Sequence, residues 1–339
     1  MKQWQVDPRG NDGLALVEVD AVERLSSREV RIKMEATCLN FRDQLLLSGR
    51  YPVGEAPVVP LSDGAGEVIG IGDGVTRVAL GDRVVSTTIT NWVDGDFDPE
   101  MQSESLGFTV DGWLAEEIIV PETGLVKIPK EFSFEAASTL PCAGVTAWNA
   151  IIENAGIGPG DKVLTLGTGG VSMFAVQLAK MVGAEAFVTS SSDSKLERAR
   201  ALGANVGVNY RTHPKWDERI RELTSNHGVD LVIENAGTLR QSVNATRYGG
   251  MVAVIGMLAM LTEGSSPPNN DLGGLLRTGV TVKPIMMGNR RMLSRLVQAY
   301  VRHEVEPVIE EVFPFNEAPA AYRALSAANH MGNIVISRG

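Results

Sequence analysis

The chain has 339 residues, 31 Lys+Arg against 41 Asp+Glu for a formal charge of −10, and is 44% apolar, which at roughly 150 residues per domain implies about two domains with sizeable cores. Its two cysteines, Cys38 and Cys142, exclude a disulfide scaffold and a four-cysteine zinc lobe and fit a cytoplasmic protein. The acidic balance argues against bulk binding to nucleic acid or anionic lipid, although a small basic pocket for one phosphate remains compatible with it.

The start, Met1 to Gly10, lacks the apolar region of a signal peptide. Residues 1–125 read as β-rich, with short alternating runs such as Val30–Met34 between turn signals. Gly66 to Val75, followed by Gly81–Val85, reads as strand, tight turn, strand, with the glycines supplying positive-φ positions. The polar, acidic segment 91–112 reads as a surface loop. After about residue 140 strands and helices alternate: strand Lys162–Leu166, helix Val171–Val182, strand Ala186–Thr189, helix Ser194–Leu202 and strand Val206–Asn209. Helix Trp216–Thr224, strand Leu231–Glu234, helix Leu239–Thr246 and strand Met251–Ile255 continue the series, and such alternation implies βαβ units and a parallel sheet. The longest apolar run, Gly250 to Leu261, is shorter than the ~18 residues of a membrane span. Met292–Val301 is a further amphipathic helix, and the tail is mixed α and β.

The strand Lys162–Leu166 runs into Gly167-Thr168-Gly169-Gly170-Val171-Ser172, which opens an apolar helix. Strand, glycine turn and helix N-terminus are the setting of a dinucleotide fingerprint: the first glycine turns the chain, the second lets backbone N–H groups approach a pyrophosphate, and the helix dipole favours the anion. The third position is Ser172, so the motif departs from three glycines; the plainer reading is an ordinary strand-to-helix turn. An NAD site wants a carboxylate at the tip of the second strand. That strand ends Val188-Thr189-Ser190-Ser191-Ser192 without one, and Asp193 reads as part of the next helix cap. Hydroxyls with Lys195 suit a 2′-phosphate, hence NADP(H); alternatively they only cap and solvate a helix start.

These residues, with Leu39-Asn40-Phe41-Arg42-Asp43, Gly49-Arg50-Tyr51-Pro52, Asp63 to Val68, Gly81-Asp82-Arg83-Val84, Leu140 to Ala147 and Leu202-Gly203-Ala204, resemble the medium-chain dehydrogenase/reductase superfamily over essentially the whole chain. The resemblance is to its zinc-free branch of quinone oxidoreductases and enoyl reductases. It implies an α/β protein: a GroES-like β-rich catalytic domain, residues 1–142 and 287–339, interrupted by a Rossmann domain, a doubly wound parallel sheet, over residues 143–286. The active site would lie in the cleft between them. Zinc-dependent members hold a catalytic metal by Cys, His and Cys with an acid beside the His; those positions correspond here to Asn40, Ser62 and Cys142, with Asp63 as the acid. One thiolate with an amide and a hydroxyl does not make a tight zinc site, so no metal is expected.

The resemblance assigns the 2′-phosphate to Ser191, Lys195 and Tyr210, and the rest of the cofactor to Gly167, Gly169, Gly170 and Val171 at the pyrophosphate, Thr146 facing the nicotinamide and Gly256 beside its ribose. Without a metal, developing negative charge on the substrate oxygen must be met by hydrogen-bond donors. Tyr51 matches the tyrosine that enoyl reductases of the family use beside the substrate and can donate a proton; Asn40 can donate to the same oxygen. Their structural readings are a half-buried turn tyrosine packed on Pro52 and an amide that fixes its loop. Asp43 and Asp63 read as structural, and His213, His227, His303 and His330 as surface residues. Met331-Gly332-Asn333 lacks the family's lysine after glycine, and Gly288-Asn289-Arg290-Arg291 is either a substrate-side loop or a solvated helix start. The expected activity is NADPH-dependent, zinc-independent hydride transfer to a small-molecule quinone or α,β-unsaturated carbonyl compound. The alternatives are an alcohol dehydrogenase or ketone reductase, and a non-catalytic NADPH-binding protein. The resemblance also implies a homodimer that pairs the last Rossmann strand, near Val280–Ile285, across a two-fold.

Overall fold

Alternation of buried and exposed side chains builds the first sheet. In the computed structural model, which describes residues 1–7, 13–20, 23–51, 54, 56–255 and 276–339, β1 (Lys2–Val6) and β2 (Leu14–Glu18) form an antiparallel hairpin. The spine is β3 (Glu29–Leu39): Val30, Ile32, Met34, Ala36 and Cys38 are fully buried, while Arg31, Lys33 and Glu35 between them are half-exposed. That is the period-two signature of a strand with one face on a core. After α1 (Phe41–Leu47), β4 (Asp63–Ile71) pairs with β3, β5 (Arg83–Ser86) with β4, β6 (Glu117–Pro121) with β3, and β7 (Leu125–Lys127) with β5, all antiparallel. Val30, Ile32, Met34, Val68, Val84, Leu106, Trp113 and Leu125 close into one core, with Trp113 Nε1 donating to Ser86 Oγ at 2.8 Å. α2 (Phe134–Ser138) and a π-helical turn, Leu140–Gly144, follow.

Contacts divide the chain into two units, Met1–Val145 with Met287–Gly339, and Thr146–Met286. The second opens in α3 (Val145–Trp148) and contains, among the described residues, six parallel strands: β8 (Lys162–Leu166), β9 (Glu185–Ser190), β10 (Val206–Asn209), β11 (Val229–Glu234), β12 (Thr246–Val254) and β13 (Thr281–Pro284), in the order β10-β9-β8-β11-β12-β13. Between them run α4 (Gly170–Met181), α5 (Asp193–Leu202), α6 (Trp216–Leu223) and α7 (Leu239–Ala245). This is the doubly wound order 3-2-1-4-5-6, whose switch point between β8 and β11 is where such sheets bind ligands. The chain then returns to the first unit through α8 (Arg290–Arg302), β14 (Ile309–Pro314), α9 (Ala318–Ala327) and β15 (Asn333–Ser337). β15 pairs parallel with β14 and antiparallel with Ala36–Leu39 of β3.

Two sequence expectations need correction. Of the glycines between Gly66 and Gly81, only Gly81 has a positive φ, 82°. Gly66 and Gly72 are demanded by close approach instead: a Cβ on either would stand 2.0 Å from a backbone carbonyl oxygen, of Lys33 or Ser26 respectively. Segment 91–112 has little regular structure, but it is anchored rather than purely superficial, because Trp92, Leu106 and Phe108 are buried.

Candidate active site

In the second unit β8 ends at Leu166 and the chain turns through Gly167, whose φ of 77° suits glycine. Gly169 caps α4 and supplies no side-chain acceptor, so no side chain answers the first-turn N–H groups at this cap. A Cβ built on Gly169, where φ is −76°, meets nothing within 4 Å. Folding therefore does not require glycine there, and the space ahead of the helix is open. Gly170 and Val171 open the helix, and Ser172 at the third motif position is fully buried and donates to Leu166 O at 3.0 Å. The departure from glycine is thus a hydroxyl tie between helix and strand. Gly169→Ala is expected to keep the wild-type melting temperature within about 2 °C while weakening dinucleotide binding at least about tenfold, as a titration of cofactor fluorescence would show.

β9 ends at Ser190 with no carboxylate at its tip. Tyr210 N–H donates to Ser190 O at 3.0 Å, which sets Tyr210, 41% exposed, beside the start of α5 with Ser191 and Lys195. The cap of α5 is Ser192, accepting from Lys195 N–H, and not Asp193 as expected. Asp193 is the first helical residue, and its carboxylate is engaged by Asn209 Nδ2 at 2.9 Å. Gly167 N–H donates to Thr189 Oγ1 at 3.3 Å, linking the glycine turn to the end of β9. Thr146 is buried in α3, and Gly256 lies outside the described residues, as does Pro52.

In the first unit the three positions aligned with metal ligands lie around Asp63, the fully buried first residue of β4. Ser62 Oγ donates to Asp63 Oδ1 at 2.8 Å and Cys142 N–H to Oδ2 at 2.9 Å. The Asn40 amide is near enough to hold the Asp63 pKa down, although Nδ2 is buried without a well-formed hydrogen bond among the described residues. Asp43, on the first turn of α1, accepts the Asn40 N–H at 2.7 Å. Burial, opposed by these hydrogen bonds, pushes the carboxyl of Asp63 up to about 6 and that of Asp43 up to about 7. Burial and the neighbouring carboxylates push both thiols up, so Cys38 and Cys142 are neutral. An amide, a hydroxyl already spent on Asp63 and a single thiol do not fit zinc, and no group of three or more His, Cys, Asp or Glu among the described residues could hold a metal.

The two buried carboxyls set a pH dependence. Folded, they hold protons up to about pH 6 and 7, whereas unfolded aspartates release them near 3.8; stability from them is present in mild acid and lost as pH rises through that window. Calorimetry should show a melting temperature that falls by several degrees from about pH 5 to pH 8, with much of the slope absent in Asp43→Asn.

Arg42, two residues after Asn40, is 8% exposed. Its Nη1 donates to Met287 Sδ at 3.0 Å, and its Nη2 to Ser105 Oγ at 3.2 Å and Tyr51 Oη at 3.5 Å. The guanidinium lies 3.7 Å above the centroid of Phe108 and 5.5 Å from that of Tyr51. Tyr51 is half-buried and packs on Phe108, with centroids 4.7 Å apart. Sequence reasoning quoted Arg42 within a motif and gave it no role; its signal was a cation set between Phe41 and the apolar Leu45-Leu46.

Glu234 was also missed. At the C-terminal end of β11 its buried carboxylate accepts N–H groups of Ala236 and Gly237, each at 2.8 Å, and hydroxyls of Thr238 and Ser242. It shapes the turn at the ligand-binding edge of the sheet; an acid closing an apolar strand just before Asn-Ala-Gly was the cue. Asn333 is structural, its Nδ2 donating to Val308 O at 2.9 Å. Asn289 caps α8, Arg290 donates to Thr123 O and Arg291 pairs with Asp94 at 2.9 Å, which is the helix-start reading. His213, His227 and His303 are exposed, while His330 is half-buried.

Two family models match: an alcohol dehydrogenase GroES-like domain over residues 26–130 and a zinc-binding dehydrogenase over residues 170–302. A zinc-type alcohol dehydrogenase-like protein of Schizosaccharomyces pombe is 38% identical over 333 residues, 96% of each chain. Among solved structures, a Sinorhizobium meliloti 1021 protein is 39% identical with a TM-score of 0.91, covering 99% of this chain and 98% of its own. A quinone oxidoreductase of Pseudomonas syringae pv. tomato DC3000 is 28% identical with a TM-score of 0.82, covering 99% of each. The antiparallel first unit is thus a GroES-like domain and the parallel second a Rossmann domain, and the chain belongs to the medium-chain dehydrogenase/reductase superfamily of oxidoreductases, in its zinc-type alcohol dehydrogenase-like branch.

Proposed function

We propose that the protein is an NADPH-dependent, zinc-independent reductase of quinones or α,β-unsaturated carbonyl compounds. The observation that carries this reading is the donor set of the first unit: Asn40, Arg42 and Tyr51 offer N–H and O–H donors around positions where Ser62 and Cys142 offer no metal site. The nicotinamide, when bound, supplies the hydride. Asn40 and Tyr51 act on the acceptor, the amide by donating to its oxygen and the phenol by delivering the proton. Ser191, Lys195 and Tyr210 hold the 2′-phosphate at a strand end free of competing carboxylate, with Gly167, Gly169, Gly170 and Val171 at the pyrophosphate and Thr146 and Gly256 toward the nicotinamide ribose. A second reading, an alcohol dehydrogenase or ketone reductase, draws on the Schizosaccharomyces pombe relative.

The protein works as a cytoplasmic homodimer in this reading, since β13 ends the sheet with one edge unpaired among the described strands. Among the described residues no helix is long and apolar enough to cross a membrane. Stopped-flow oxidation of NADPH against a quinone, an enone and an aldehyde tests the activity: turnover with the first or second is expected, turnover with the aldehyde alone selects the second reading, and none at all with tight NADPH binding removes both. Stoichiometric zinc lost together with activity on chelation would remove zinc independence. Lys195→Ala should weaken NADPH binding about 10- to 100-fold and NADH binding far less; equal losses contradict the 2′-phosphate contact.

A further inference from the structure

Arg42 presents an unusual electrostatic situation. Its guanidinium is buried, yet every group it touches among the described residues is neutral: a thioether, a hydroxyl, a phenol and the faces of two rings. The thiol of Cys142, also within its reach, is held in its protonated form. Asp43 and Asp63 feel its charge, but no carboxylate among the described residues forms an ion pair with it. A buried cation costs several kcal/mol unless an anion compensates it, and such a cost is tolerated where negative charge develops during a reaction.

Among the described residues, the one group in contact with Arg42 that can become an anion by giving up a proton in the proposed reaction is Tyr51. Nη2 donates to Tyr51 Oη, so the phenol oxygen accepts and its own O–H is left to donate elsewhere. Phe108 fixes both partners, one under the guanidinium and one against the phenol ring.

We propose that Arg42 is a positioning residue for Tyr51: it holds the phenol by its oxygen, frees the O–H to donate, and takes up the charge left on that oxygen when the proton is delivered. This rests on Tyr51 as the proton donor. After hydride has added to the β-carbon of an enone, the Tyr51 O–H bond breaks and its proton forms the new C–H or O–H bond of the enolate. The electron pair stays on Tyr51 Oη against the Arg42 guanidinium, and a proton from water restores the phenol.

The test is a double-mutant cycle on kcat with an enone, using Arg42→Gln, Tyr51→Phe and the double variant in the full chain. Arg42→Gln alone is expected to lower kcat about 30-fold with KM for NADPH within about twofold, and to add less than about twofold in the Tyr51→Phe background. Arg42→Lys, which keeps the charge and loses the planar fork, should recover most of the loss. Losses that multiply in the double variant overturn the proposal, because Arg42 then acts apart from Tyr51. If Tyr51→Phe itself leaves kcat unchanged, the proton-donor reading fails and this inference with it, an outcome separable from the first. Should Arg42→Gln not fold, the same cycle run with Arg42→Lys decides: its smaller loss must vanish in the Tyr51→Phe background, and an equal loss in both overturns the proposal.

Discussion

Tyr51→Phe is expected to lower kcat with an enone by about 100-fold, with little change in the affinity for NADPH. The ring stays and keeps its packing on Phe108 and its place beside the Arg42 guanidinium; the hydroxyl is lost, and with it the acceptor of one Arg42 N–H, which retains Ser105 Oγ. Stability should therefore hold, and steady-state kinetics at saturating cofactor isolates the proton delivery. A loss smaller than about threefold would assign Tyr51 a packing role and leave Asn40 as the remaining donor.

Gly66→Ala should cost about 3 kcal/mol or more, a large share of the 5–15 kcal/mol of an ordinary domain. The new methyl would stand 2.0 Å from Lys33 O and 2.9 Å from Ile32 Cγ2. The first contact is backbone, so relief requires β3 and β4 to part where Gly66 pairs with Met34 and, on its other edge, with Val84. Chemical denaturation reads the loss directly. Gly169→Ala is the counterpart: it intrudes on no protein atom within 4 Å, so the fold demands glycine at the first position and not at the second.

Most of the parallel sheet was legible, β12 excepted, which begins at Thr246, where a helix end was expected, rather than at Met251. Its central strands are covered on both faces, so β8 and β11 stand out as short apolar runs between turn glycines, and their bounds differ from expectation by no more than two residues. The anchoring of 91–112 was not legible, because Trp92, Leu106 and Phe108 follow neither period and the last two are buried by partners far away in sequence. The same distance hid Arg42: Ser105, Phe108 and Met287 converge on it only in the folded chain. Motif positions located Asn40, Ser62, Asp63 and Cys142, but that Asp63 gathers the Ser62 hydroxyl and the Cys142 amide required coordinates. The β4 glycines were marked correctly as special and for the wrong reason, since one letter does not distinguish a left-handed residue from one crowded by a neighbouring strand.

The pairing of β15 with β3 sets Ile334 opposite Leu39 and Val335 opposite Cys38. The loop closed by that ladder contains the whole Rossmann unit. On a ribosome the upper edge of β3 therefore stays open while every intervening residue is made, and the contiguous inserted unit has all of its strands before the sheet that began first receives its last. Cys38, fully buried in a cluster with Val335, lies on the stretch of β3 that waits longest for a neighbour on that edge.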